Sequence, residues 1–193
     1  MGRPKKDAIR FPLTAAGYRN LVRASILKPL YFGQTVSERR NVREAGLFFL
    51  MNVSLGTLLK VALVLALTQN LPAAFIAISS LIYVLPASLA IFVALVFGLF
   101  LLAKVMGGKG SFVGTFCASS YCLVFLFLFQ LPILSIPALG YSLALLVIGF
   151  RSSHNYGIEK AVLTIMLHFS LFLVICFGLG LANPIYLLSL NII

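Results

Sequence analysis

Gly107-Gly108-Lys109-Gly110-Ser111 places three glycines around one lysine, just ahead of an apolar stretch that begins at Phe112. Backbone N–H groups at a helix start, with a lysine beside them, are the chemistry that holds a phosphate or an anionic lipid headgroup. The same residues also suit a tight helix hairpin in which Lys109 is an interfacial anchor. A Walker-type nucleotide loop is excluded, because that motif needs Gly-Lys-Ser/Thr in succession and Gly110 follows Lys109 here. Further on, Arg151 and His154 stand near the end of one apolar stretch and Lys160 at the start of the next. Lys109, Ser111, Arg151, His154 and Lys160 are therefore candidate lipid- or partner-binding residues on two short polar loops, and Arg19 and Arg23 near the N-terminus join them.

A second set of polar residues lies inside apolar stretches. Asn52, Gly56 and Lys60 follow one another at i, i+4 and i+8, a narrow stripe suited to facing another helix. Lys60 falls about 8 residues from the outer end of its stretch, roughly 12 Å below the surface, twice what a lysine stem covers by snorkelling. A packing role and a functional role both stand for it, since intramembrane charge is costly. His168 lies deep in the last stretch and needs a hydrogen bond or must stay neutral there. It reads either as a satisfied core histidine or as a ligand.

What the chain lacks narrows its chemistry. Asp7, Glu38, Glu44 and Glu159 are its only acids and none lies within an apolar stretch, so a buried carboxylate relay for ion coupling is missing. There is no paired-carboxylate site, no Ser-His-Asp set and no His-Glu-x-x-His. We expect no enzyme, no cofactor and no metal, because two isolated histidines make a poor metal site. Cys117, Cys122 and Cys176 have no CxxC spacing and read as small apolar packing residues.

The elements that carry these residues follow from composition. Of 193 residues, 61% are hydrophobic and 10% charged, and the mean hydropathy is +1.08, which makes this an integral membrane protein. Apolar stretches long enough to cross about 30 Å of hydrocarbon fall at about 46–68, 73–103, 112–130, 136–151 and 159–181. The expected architecture is all-α with five transmembrane helices. The second stretch is over-long, so its start is re-entrant or interfacial, or its helix tilts; Pro86 is placed to kink it. The formal charge of +11 is gathered before the first stretch and on the loops that this count places inside. That pattern puts the N-terminus in the cytoplasm and the C-terminus outside. It also accounts for the basic arm through anionic lipid rather than nucleic acid.

Residues 1–45 read as that basic cytoplasmic arm. Within it, Tyr18, Leu21, Val22 and Ser25 share one helical face and Arg19 with Arg23 another, which predicts an interfacial amphipathic helix over about 14–28, with Pro29 as its stop. Residues 33–43 read as a charged link, and 183–193 as an outer interfacial tail.

Gly107-Gly108-Lys109-Gly110-Ser111-Phe112, then Tyr121, Val147-Ile148-Gly149-Phe150, His154, Gly157-Ile158 and Lys160-Ala161 resemble, in order and spacing, the Yip domain family. Leu27-Lys28-Pro29 with Phe32 resembles the segment before that family's first span. The resemblance implies five spans, a cytosolic N-terminus and, for eukaryotic members, vesicle traffic through Ypt/Rab GTPases and partner proteins. Phe125 stands where the family often has proline, and the arm is short and basic, as in a compact prokaryotic form. The expected function is a non-enzymatic assembly, scaffold or trafficking factor that binds anionic lipids and partner membrane proteins, or itself, at its cytoplasmic face. The expected location is a prokaryotic cytoplasmic membrane, with Golgi or ER membrane as the alternative, where a Rab-type GTPase becomes a partner. The rival function is a small transporter or lipid-translocating protein using Asn52, Lys60 and His168.

Overall fold

The structure is a computed structural model that describes residues 15–38, 41–69 and 71–178. The start of the basic arm and the tail 183–193 lie outside the described residues. Among the described residues the regular elements are all helices: α1 (Ala15–Leu27), α2 (Pro29–Glu38), α3 (Val42–Thr68), α4 (Leu71–Ser79), α5 (Leu81–Val105), α6 (Phe112–Cys122), a 3-10 helix (Leu126–Gln130), α7 (Pro132–His154) and α8 (Ile158–Gly178). Four of them, α3, α5, α7 and α8, are long and apolar enough to cross a membrane. The chain is a multi-pass membrane protein.

α3 starts where Asn41 caps it, its side chain accepting from the Glu44 N–H at 3.2 Å, and Glu44 adds a negative charge to the first turn. It stops at Gln69, in the left-handed region with φ 53°. The over-long second stretch is divided at Ser80 into α4 and α5, whereas Pro86 lies inside α5. The division therefore lies ahead of Pro86.

The expected third span, 112–130, is not one helix. α6 has 11 residues, about 16 Å of rise and too short to cross alone. The chain then turns through residues 123–125 and resumes as the 3-10 helix. The break falls at the position where the resemblance expects a proline, with Phe125 in its place. It frees carbonyls from the helical ladder, and Tyr18 of α1 donates its hydroxyl to one of them, the Val124 carbonyl, at 2.9 Å. Gly56 of α3 lets the second piece come close: a β-carbon there would lie 3.3 Å from the Phe127 Cα. Of the stripe on α3, Gly56 thus faces the broken element, whereas Lys60 is exposed.

The N-terminal helices differ from the sequence expectation in their surroundings. The face formed by Tyr18, Leu21, Val22 and Ser25 is real, and it packs on protein rather than on a membrane surface. Leu21 and Ser25 are fully buried, while Tyr18 and Val22 lie against the core. Pro29 opens α2 instead of only closing α1, because a missing N–H costs nothing at a first helical position. Residues 33–38, expected as a link, belong to α2, which buries Phe32 and Val36. The core joining these pieces is aromatic. Phe49 stacks on Phe92 with centroids 4.1 Å apart, and Phe48 bridges Tyr18 and Tyr121.

The single Tyr18 hydroxyl proton is shared between the Val124 carbonyl and Asn52 Oδ1, 3.1 Å away, while Asn52 Nδ2 donates to the Phe48 carbonyl. Tyr18→Phe leaves the Asn52 oxygen, in a fully buried residue, without its partner. Such an orphan costs about 1–3 kcal/mol. The expected result is a lowered thermal midpoint in lipid discs with helix content unchanged, read by circular dichroism.

Candidate functional site

The loop between α5 and α6 is built first as a helix ending. Gly107 has φ +83°, the left-handed conformation that glycine adopts without penalty. The Gly107 N–H donates to the Lys104 carbonyl at 3.0 Å and the Gly108 N–H to the Ala103 carbonyl at 2.8 Å, the paired bonds of a Schellman ending. Lys109 N–H then donates to the His154 carbonyl at 3.3 Å, tying the loop to the end of α7. Three successive N–H groups are thereby committed to carbonyls, so they are not a phosphate cradle. Ser111 caps α6, its hydroxyl accepting from the Gly114 N–H at 3.2 Å.

α7 ends in a matching way. Asn155 takes the left-handed conformation at φ 56°, a role asparagine tolerates better than most residues, and its N–H returns to the Arg151 carbonyl. That turn drives His154 and Tyr156 inward under the glycine loop. Tyr156 donates its hydroxyl to the Ala103 carbonyl, the acceptor already used by Gly108. Burial holds the Tyr156 phenol above its ordinary range, which keeps it a neutral donor.

His154 is 1% exposed and its Nε2 lies 2.8 Å from Thr115 Oγ1 of α6. The Thr115 hydroxyl has one proton and lies 3.0 Å from the Ser111 carbonyl as well; assigning that proton to the carbonyl makes Nε2 the imidazole donor and Nδ1 the bare acceptor. Nδ1 has no hydrogen-bond partner among the described residues. Two glycine backbones cover it: a β-carbon would lie 2.6 Å from Nδ1 at Gly108 and 2.8 Å at Gly110. The imidazole is a wedge between the two loops, with its ring 4.4 Å from that of Phe150.

Beside this lock, between α2 and α7, opens a polar cleft of about 380 Å³ lined by Gln34, Arg151, Ser152, Asn155 and Tyr156, with Leu30 and Ile148 at its apolar side. Arg151 is exposed, and its planar guanidinium suits a phosphate or carboxylate. Lys109 is exposed on the glycine loop and Lys160 in the first turn of α8. Arg19 and Arg23 lie apart from them on the outward face of α1.

The intramembrane polar residues do not come together. Asn52 is consumed by Tyr18 and Phe48, and Lys60 is exposed on α3. His168 lies against Gly98 of α5 and lines a cavity of about 230 Å³ with Ser119, Ser142 and several phenylalanines. Neither Asn52 nor Lys60 lines it.

Sequence reasoning missed Thr115, Tyr156 and Gln34 as members of these sites. For Tyr156 a signal was present in its position two residues after His154 on a turn. Thr115 and Gln34 carried none, because their roles depend on which helices meet. Residues 23–180 match the Yip1 domain, from the last turns of α1 to the end of α8. No curated protein and no solved structure matches the chain.

Proposed function

The chain belongs to the Yip1 domain family, membrane proteins linked to trafficking, and on that premise we propose that it is a non-enzymatic assembly or trafficking-type factor. It crosses the bilayer five times with its N-terminus in the cytoplasm. The third crossing is made by α6 and the 3-10 helix together. Support for this count comes from the ends of α7: Lys109 and Thr115 meet His154 at one end, while Pro132 begins the other. The intervening chain therefore travels the length of α7, about 34 Å for 23 residues.

The observation that carries the functional reading is the cleft beside the locked loops. His154, Tyr156 and the glycine turn make a rigid platform, and Arg151 stands at its edge in a site of headgroup size. Its ligand is an anionic lipid headgroup, held while a partner membrane protein docks on the same cytoplasmic face. The transporter reading has less behind it, since Asn52, Lys60 and His168 lie on separate surfaces.

Arg151→Glu combined with Lys109→Glu is expected to abolish selective retention of anionic lipid when the protein is extracted in polymer discs. The measurement is a lipid count per protein by mass spectrometry, beside a thermal midpoint to verify folding. Unchanged anionic lipid in a folded double variant sinks the proposal.

A further inference from the structure

α7 serves as a ruler for the depth of the N-terminal helices. Tyr141, 13 residues before His154 on α7, donates its hydroxyl to the Ser25 carbonyl at 2.8 Å. At 1.5 Å per residue the end of α1 therefore lies roughly 20 Å along α7 from the locked loops. Ile26 lines a small cavity with Leu134, Pro137 and Ala138, all in the half of α7 remote from His154. The chain reverses at Lys28, and α2 returns toward the loops, with Gly33 pressed on Ile148 and Gly149. α1 and α2 form a hairpin whose tip lies alongside the middle of a membrane-length helix.

The outer surface of this hairpin mixes apolar and cationic side chains. Ile26, Leu27 and Tyr31 are exposed, as hydrocarbon contact requires. Interspersed with them are Arg19, Arg23 and Lys28, all exposed. Among the described residues these three cations have no ion-pair or hydrogen-bond partner. Arg19 and Arg23 are one helical turn apart, so their side chains share a face. Cations at such depth are tolerated when they snorkel, when the bilayer thins, or when anionic groups come to them. An exposed apolar surface studded with unpaired arginines is complementary to phospholipid in both its parts.

We infer that α1–α2 is a re-entrant hairpin set into the cytoplasmic leaflet, and that Arg19, Arg23 and Lys28 draw the phosphates of anionic phospholipids below the level of the surrounding headgroups. The protein thereby thins the leaflet along one side and carries a collar of anionic lipid there. This rests on the membrane topology and anionic-lipid chemistry proposed above. It concerns a different surface from the Arg151 cleft, so either can fail while the other holds.

The chain contains no tryptophan, so Leu27→Trp supplies a single reporter at the tip. The full chain is reconstituted in phosphatidylcholine vesicles with and without phosphatidylglycerol, each lipid in turn brominated at a chosen acyl position. Bromine in the middle of the acyl chain is expected to quench the tryptophan more than bromine near the headgroup or aqueous iodide. Brominated phosphatidylglycerol is expected to quench several-fold more than equally abundant brominated phosphatidylcholine. Adding Arg19→Gln and Arg23→Gln brings the two lipids to parity, whereas Arg19→Lys and Arg23→Lys retains the preference. Quenching by iodide and shallow bromine alone overturns the inference, as does a preference unchanged by the glutamines.

Discussion

Gly108→Ala is expected to produce one of the largest losses of stability of any single methyl added to this protein. The added carbon meets three atoms at once: His154 Nδ1 at 2.6 Å, the Tyr156 hydroxyl at 2.7 Å and the Ala103 carbonyl oxygen at 2.9 Å. The last is backbone, held by the end of α5, and cannot swing away. Relief must come by pushing out Tyr156 or His154, which breaks the bond to Ala103 or the contact with Thr115. Overpacking of this kind costs about 1–3 kcal/mol, before the lost hydrogen bond is counted. Gly110→Ala meets Ser153 O at 2.7 Å and His154 Nδ1 at 2.8 Å and should behave alike. Gly107→Ala meets nothing within 4 Å, and its cost comes from the left-handed φ alone, about 1 kcal/mol. Gly140→Ala, in the open on α7, should be neutral or stabilising by up to about 1 kcal/mol, as alanine is the better helix former. Thermal midpoints in lipid discs should thus order the variants 108 and 110 lowest, then 107, then 140. A Gly108 variant as stable as Gly140→Ala means that the loops do not close on His154.

How much of this the sequence carried depends on the range of the interaction. The helical face Tyr18, Leu21, Val22, Ser25 was legible because periodicity is local. What the face packs on was not, since an apolar stripe beside a basic one suits protein and membrane interface equally. Pro29 shows the same ambiguity: proline ends one helix and begins another by the same missing N–H, and only the burial of Phe32 and Val36 reveals the second. The apolar stretch 112–130 had the length for a span, but length says nothing of continuity. Its break needs no proline, because Tyr18 comes from 106 residues away to occupy the Val124 carbonyl. For the glycine loop both chemistries stood in the sequence. The positive φ of Gly107 and the bonds to Ala103 and Lys104 favour the hairpin, and the residues that lock it had to be found in space.

Gly33 offers a comparably large effect on α2, because it is where the N-terminal hairpin meets the membrane bundle. A β-carbon on Gly33 would lie 2.5 Å from Ile148 Cγ2, 3.2 Å from the Ile148 carbonyl carbon and 3.3 Å from the Gly149 nitrogen. Gly149 in turn admits Cys122 of α6, whose sulfur would lie 2.9 Å from a β-carbon there. α2, α7 and α6 therefore cross through two consecutive small-residue contacts, the close approach that holds helices together where lipid supplies no hydrophobic drive. Gly33→Ala is expected to cost about 1–3 kcal/mol. The first obstacle is a side-chain tip and the other two are backbone, so the cost should divide. Ile148→Ala removes the tip and should restore part of the loss in Gly33→Ala, giving a coupling of about 0.5–3 kcal/mol in a double-mutant cycle. It should do nothing for Gly33→Leu, whose bulk still meets the backbone of α7. Undocking of α2 should then expose Phe32 and Val36, so that a cysteine placed at Val36 becomes reactive to an aqueous thiol reagent in Gly33→Leu but not with Gly33 retained. If Val36→Cys is equally inert in both, α2 is held to α7 by something other than this crossing, and the depth assigned to the hairpin loses its lower anchor.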